Sequence, residues 1–587
     1  MSDEKRTLIA IVMMALILLV FFSEPYQRMM NPEGNSPPAS SSPVGDGTFS
    51  APSDTVPATR EPVFSTPPIA AVMDSNLAGI KEVTLTVQTP LLELVFSSRG
   101  GGTLQKAYLH DYFLKDSSRV QLITEGITGN LSNQFLGYDV ENYSTADMPA
   151  TCSIAEGGII KVNRRPVTVE FTLPLDLNSQ VVRKFTFYPD SFHFDLQQQL
   201  INLESVNAGR YFATSWRGGI AMTEPNRKQD LMETKLYALL GDEHDPEDYD
   251  AKDELKTEVT TGLTRWVGVR SKYFAALMIP ASPVMEFSQT RRSIDGDDPR
   301  KIFNFDVRDA FDRRLPVATS DYRVYLGPLD YDIIRGYGLY FEEMMTWGWF
   351  GFLGKWALRV FKWMHNFIPN YGLVIIIFSV LIKVLTAPLT QKQMASTQKM
   401  QLVQPQVAAL KEKYKNDAAK LNQETMKLYK EMGVNPAGGC LPLLIQMPIL
   451  IAMFRLIQST IELRGAAFLG LEWWMPDLSM PDTVATVMGF AINPLPIIMA
   501  LTMFLQQKLM TPSSAATNPQ MKMMTTFMPF MLLFIFYRFP SGLNLYYTMF
   551  NVMSILQQKL MPTKPADPKS VPVVAEKTPP KRKKPRQ

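Results

Sequence analysis

Residues 373–389 read LVIIIFSVLIKVLTAPL, a run apolar enough to enter a bilayer that nevertheless carries Lys383 inside it. A lysine at the centre of a spanning helix costs about 2.5–3.5 kcal/mol on insertion scales. Each Leu, Ile, Val or Phe around it returns roughly 0.3–0.6 kcal/mol, so the run still inserts. Lys383 lies about 18 Å along a helix from Tyr371, past the midplane of a bilayer. Two readings follow. The flexible side chain snorkels along its own helix to the nearer interface, or it faces a wet cavity among neighbouring helices. Ser379, one turn earlier, shares its face.

The rest of the chain divides by composition. At the N-terminus, Lys5 and Arg6 precede an apolar run from Leu8 to Phe22, with no small-x-small cleavage site after it. This predicts an uncleaved signal anchor over 1–24 with its N-terminus in the cytoplasm. Residues 31–70 contain nine prolines and seven serines, which suits a flexible linker over 25–75 and not a core. From 76 to 330 the apolar period is two. VTLTVQ places Val83, Leu85 and Val87 on one face, VTVEFTLPL does so with Val167, Val169, Phe171 and Leu173, and FHFDLQ with Phe192, Phe194 and Leu196. The expectation is a large antiparallel β-sandwich, placed in the periplasm by the anchor before it.

Residues 331–368 contain WGWFGFLGKWALRVFKWMHNF at 347–367. Trp349, Leu353, Trp356, Val360, Trp363 and Phe367 recur on one helical face, beside Lys355, Arg359, Lys362 and Asn366. Such a helix lies flat at a membrane interface, or packs as an amphipathic helix of the preceding domain. A core over 369–562 follows, with further spans expected near 371–389, 441–461, 493–509, 523–539 and 543–560. With the anchor this makes six. Between the first two of these, Met400, Val403, Val407, Leu410 and Tyr414 step by three and four, as do Ala418, Leu421, Thr425, Leu428 and Met432. Asn416-Asp417 supplies a turn and N-cap, so 390–434 reads as a helical hairpin kinked at Pro405.

Charge sets the sides. Residues 386–440 hold eight lysines against four acids, and 561–587 hold eight Lys/Arg against two acids, within a net charge of only +3. The loop from Glu462 to Thr483 has a single basic residue, Arg464. By the positive-inside rule the hairpin and the tail at 563–587 are cytoplasmic. No acid lies within a span except Glu462 at an edge, which weakens an ion-coupled transporter. Cys152 and Cys440 lie in regions of different character, and the four histidines form no HxxxH pair. Neither a nucleotide-binding nor a hydrolase motif is present, so a membrane-tethered periplasmic enzyme has no nominated centre. Gln446, Gln506, Asn544, Asn551, Tyr546 and Tyr547 supply polar groups within the spans. Twelve methionines lie between Met488 and Met561, suited to lipid or to a surface that receives varied apolar segments.

Three stretches, GVNPAGGCLPLLIQMPILIAMF, FMPFMLLFIFYRFPSGLNLYY and LTAPLTQKQMASTQKMQLVQPQ, closely resemble the YidC membrane-protein insertases. The resemblance covers the whole architecture and implies a polytopic α-helical inner-membrane protein. It would have six spans, a five-helix core with a hydrophilic groove, and a periplasmic antiparallel β-sandwich. It further implies an insertase and chaperone for nascent membrane proteins, working alone or with the Sec translocon, without catalysis, cofactor, metal or nucleotide. By position, the family's groove charge falls on Lys383 and its substrate contacts on Ser379, Gln446, Met447 and Tyr546. The family most often has arginine at the charge, so lysine keeps attraction but loses the planar two-point fork. The hairpin and tail, with Lys581, Arg582, Lys583, Lys584 and Arg586, are expected to meet the ribosome or nascent chain, a cluster suited to rRNA.

Overall fold

The structure, a computed structural model, describes residues 80–560 apart from 139–141, 155–157, 297–298, 349, 416, 433–440 and 511–518. The expected anchor, linker and tail lie outside the described residues, as do Trp349 and the GVNPAGGC motif. The chain divides into two compact units, with the boundary between Met345 and Thr346.

The first unit is built of two sheets. The smaller has five strands and includes Thr84–Gln88, Leu92–Ser97 and Thr103–Phe113; the larger has fourteen. Alternation of buried and half-buried residues in Val167–Pro174, Gln180–Phe187 and His193–Ile201 follows from one face packing inward and the other meeting solvent. Phe96 of the small sheet meets Phe185, Phe187 and Phe194 of the large one, with ring centroids 5.1, 5.6 and 5.7 Å away. This aromatic contact joins the layers as expected of a sandwich. Among the described residues pairing is antiparallel with one departure, since Thr84–Gln88 runs parallel to Gly158–Lys161. Arg183 is fully buried among aromatic rings and donates to the carbonyls of Gly100, Gly101 and Leu131. Gly101 can be nothing larger, because its φ is +78° and a Cβ would stand 3.0 Å from that arginine.

The sandwich extends further along the chain than alternation predicted. Residues 331–345 were expected to open the interfacial helix, but they fold onto the sheet unit. Trp266 Nε1 donates to Leu339 O at 2.9 Å, and the Tyr337 hydroxyl meets His193 Nδ1 at 2.8 Å. Arg270 reaches both Glu233 and Met344 O. A short helix, Tyr331–Arg335, has no spare apolar face for lipid, because Ile334 and then Phe341 are buried against this unit.

The second unit is helical: α1 (Gly351–His365), α2 (Tyr371–Lys413), α3 (Ala418–Glu431), α4 (Leu441–Ser459), α5 (Pro494–Met510), α6 (Pro519–Phe536) and α7 (Ser541–Leu560). Of these, the stretch Tyr371–Gln391 is by itself long and apolar enough to cross a membrane. The other candidates run 17 to 20 residues and are interrupted by proline or polar side chains. Helix α2 does not stop where this apolar stretch ends. It continues through Pro388 and Pro405 to Lys413, so the first arm of the hairpin is the same helix. Asp417 caps α3 by accepting from Lys420 N at 3.0 Å, and Val403 and Val407 bury against Leu428 with Leu410 and Met432 beside them. The hairpin seam is therefore as its spacing predicts.

In α1 the face turned to the unit is Gly354, Ala357, Leu358, Phe361 and Met364, while Trp356 and Trp363 point outward, Trp363 with 62% exposure. Small residues let α1 approach closely, with Phe361 edge-on to Phe378 of α2 at 4.9 Å. Trp356 and Trp363 of the tryptophan stripe are thus left for the surroundings.

Candidate functional site

The face of α2 that turns inward carries Ile375, Phe378, Ser379, Ile382 and Lys383, all buried. The opposite stripe, Ile377, Leu381, Val384 and Leu385, is exposed and apolar. This inversion is what lipid selects: the chain presents its apolar stripe outward and keeps its polar groups among neighbours. Snorkelling along the lipid face is thus not what Lys383 does here. Its side chain is directed at α7, where Nζ sits 4.6 Å from the centroid of the Phe550 ring. Lys383 is only 5% exposed, and among the described residues no carboxylate pairs with it. Ser379 is fully buried, and its hydroxyl donates to Ile375 O at 2.6 Å, the ordinary way a serine satisfies itself inside a helix.

From α7 comes Tyr546, completely enclosed, with its hydroxyl buried and unpartnered. Its ring packs at a right angle on Tyr547, centroids 5.1 Å apart, and lies 6.2 Å from Phe550. From α4 come Gln446 and Met447, both half-buried. The Gln446 amide nitrogen approaches the Tyr547 hydroxyl but falls short of hydrogen-bond geometry, and both atoms are buried without a partner. Ser379 and Lys383 thus lie on the face of α2 that packs along α7, which carries Tyr546, while Gln446 approaches Tyr547 from α4 with Met447 next to it in sequence. A buried cation and three unmatched polar atoms thus lie on helices that pack against one another. Each unmatched group costs free energy until something pairs with it.

Two other polar residues have structural uses. Asn544 donates to the carbonyls of Phe536 and Phe539, and Asn551 to Met499 O and to Thr502 Oγ1. Through these amide bonds they fix α7 to the preceding turn and to α5. Sequence reasoning missed Phe550, because no local pattern ties a phenylalanine near the chain's end to a lysine on α2. It also missed the roof. Residues 460–493 cover the end at which α2, α5 and α7 begin. Asn370 Nδ2 donates to Ala467 O at 3.0 Å, Ser541 N to Met480 O at 2.7 Å, and Leu495 N to Asp482 Oδ2 at 2.6 Å. Lys362 of α1 pairs with Glu462 at 2.9 Å on the same side. The roof thus satisfies helix N-terminal amides that would otherwise be orphaned.

Two family models match the chain: the YidC periplasmic domain over residues 84–359, and the 60Kd inner membrane protein over residues 363–567. The chain is 34% identical to the membrane protein insertase YidC of Chlorobium phaeovibrioides and 35% identical to that of Chlorobaculum parvum. In each case the match covers 94% of both chains. Among solved structures it is similar to an active YidC insertase with its first transmembrane domain resolved, at 17% identity and a TM-score of 0.34. That match covers 84% of this chain and 98% of the other.

Proposed function

Because the chain belongs to the YidC family of membrane protein insertases, we propose that it receives the polar flank of a nascent inner-membrane protein at Lys383 and releases the apolar segment into lipid. It is an inner-membrane protein with a periplasmic domain, and its work is insertion, not catalysis. In the reading offered here the chain has six spans with both termini in the cytoplasm, and the polar region opens toward cytoplasm and lipid. The roof over the ends of α2 and α7 favours entry from the opposite side.

The observation that carries the proposal is the buried ammonium of Lys383, held over Phe550 without a carboxylate partner among the described residues. A cation left in this state attracts an acidic or polar substrate flank, and it does so more strongly than in water because the surroundings are apolar. Ser379, Gln446, Met447 and Tyr546 are the contacts along the route, and Met447 offers a pliable apolar surface. The driving force is burial of the substrate's apolar segment in lipid, so no nucleotide is needed. The hairpin and the basic tail meet the ribosome or the nascent chain, and the Sec translocon shares part of the work.

Photo-crosslinkers placed at Ser379, Met447 and Tyr546 during translation of a single-span substrate test this reading. Crosslinks to the nascent helix at Met447 and Ser379 are expected. Their absence at all three positions, in a protein that still supports insertion, would sink the proposal.

A further inference from the structure

The roof carries a feature that insertion does not use. Residues Ala485–Val487 and Phe490–Ile492 pair as an antiparallel hairpin, closed by a two-residue turn at Met488-Gly489. Both turn residues have positive φ, 51° and 84°. Such turns ordinarily place Asn or Asp at the first position, where a polar side chain tolerates the left-handed backbone and meets water. Here the position is filled by methionine, 94% exposed, with Phe490 beside it 79% exposed and Val487 also out. No charged residue occurs between Asp482 and Lys508. A hairpin this apolar at its tip is poor chemistry for an aqueous surface.

Its base is rigid. Asn493 Nδ2 donates to Tyr537 O at 2.7 Å, the Tyr537 hydroxyl donates to Ala491 O at 2.6 Å, and Val484 N donates to Ile492 O at 3.0 Å. The hairpin leads directly into α5, whose Ile497, Ile498 and Leu501 are exposed as well. The apolar surface of the hairpin thus continues into that of α5.

We propose that this hairpin is an interfacial anchor, with Met488 and Phe490 seated in the headgroup and acyl boundary of the leaflet where α5 begins. The occupant is lipid because the apolar surface is continuous with the face of α5 and lacks any charge that would orient a protein partner. The inference rests on the reading that α5 spans the membrane.

The test uses the full chain in nanodiscs of phosphatidylethanolamine and phosphatidylglycerol, doped with a phospholipid bearing a diazirine near the glycerol and, separately, one bearing it at mid-chain. Labelling is mapped by peptide mass spectrometry. The headgroup-proximal probe is expected to label 484–492 and the mid-chain probe to label the Leu501 region. The doubly substituted Met488→Asp, Phe490→Asp chain is expected to lose hairpin labelling by at least about tenfold, as removal of two apolar side chains seated in lipid implies, while α5 labelling is kept. Labelling of α5 without labelling of the hairpin overturns the anchor and leaves the spanning reading intact. Labelling of neither overturns the spanning reading. Protection of the hairpin from both lipid and an aqueous diazirine overturns the anchor in favour of a protein occupant.

Discussion

Lys383 and Phe550 face each other across α2 and α7, the ammonium nitrogen 4.6 Å from the ring centroid. The ring supplies the lysine with a polarisable neighbour but no counter-charge, so the positive field persists inside the bundle. A cation–π contact of this kind contributes about 0.5–2 kcal/mol, enough to hold the side chain inward and too little to cancel its charge.

Replacing Lys383 should therefore sort by charge. Lys383→Arg is expected to support growth in a depletion strain, Lys383→Met to lower insertion by roughly tenfold, and Lys383→Glu to abolish it. Phe550→Leu keeps the charge but loosens its placement, and should fall between Arg and Met. Equal insertion by Lys383→Glu would rule out electrostatic attraction.

The enclosed hydroxyl of Tyr546 has no partner, so its removal restores a fully apolar contact. Tyr546→Phe is expected to raise the thermal stability of the purified protein by about 1 kcal/mol, whereas Tyr546→Ala should cost about 3–5 kcal/mol through the cavity it leaves. Reduced insertion by Tyr546→Phe despite higher stability would show the hydroxyl meeting substrate, and thermal melts alongside insertion assays separate the two effects.

The pair Lys362–Glu462 ties α1 to the roof, with the carboxylate nearly buried. Glu462→Ala removes this carboxylate from the lysine and should destabilise the helical unit by about 1–3 kcal/mol. A double-mutant cycle with Lys362→Met is expected to recover part of that loss, and strict additivity would show that the pair does not couple.

Within the β unit, burial raises the Asp309 carboxyl to about 6, with the Tyr322 hydroxyl donating to it and opposing part of that rise. The folded sheet thus prefers the neutral acid. Its stabilising contribution is complete below the ordinary carboxylate value near 3.8 and is lost as pH rises to about 6. Asp309→Asn should remove that slope and stabilise the sheet at pH 7 by roughly 2–3 kcal/mol. Amide exchange of Val317–Pro328 in the full chain, corrected for intrinsic rates, reads it; an unchanged difference between pH 4 and pH 7 would refute it.

Much of this was legible locally. Period-two alternation marked Val167–Pro174 and His193–Ile201 because a strand with one wet face must alternate. Steps of three and four marked the Val403, Val407 and Leu428 seam because the remaining faces of these two helices are polar, so the apolar positions are the ones that bury. In α1 periodicity marked the tryptophan stripe as one face, and Trp356 and Trp363 stay outward while Gly354, Ala357 and Phe361 turn inward. Near lipid both faces of a helix are apolar, so periodicity marks neither as the inner one. Side-chain size decides it instead, since small residues permit close helix approach.

The sequence alone determined that a charge had to be accommodated within the run at 373–389, because the insertion cost of Lys383 and the gain of its neighbours are properties of that one segment. It determined the soluble sandwich and the basic hairpin for the same reason, each being written in contacts between near neighbours. Only the tertiary structure decided where that charge looks, what faces it and what closes the bundle's other end. Phe550 and the roof of residues 460–493 reach α2 from far along the chain, and periodicity carries no information about pairings across that separation.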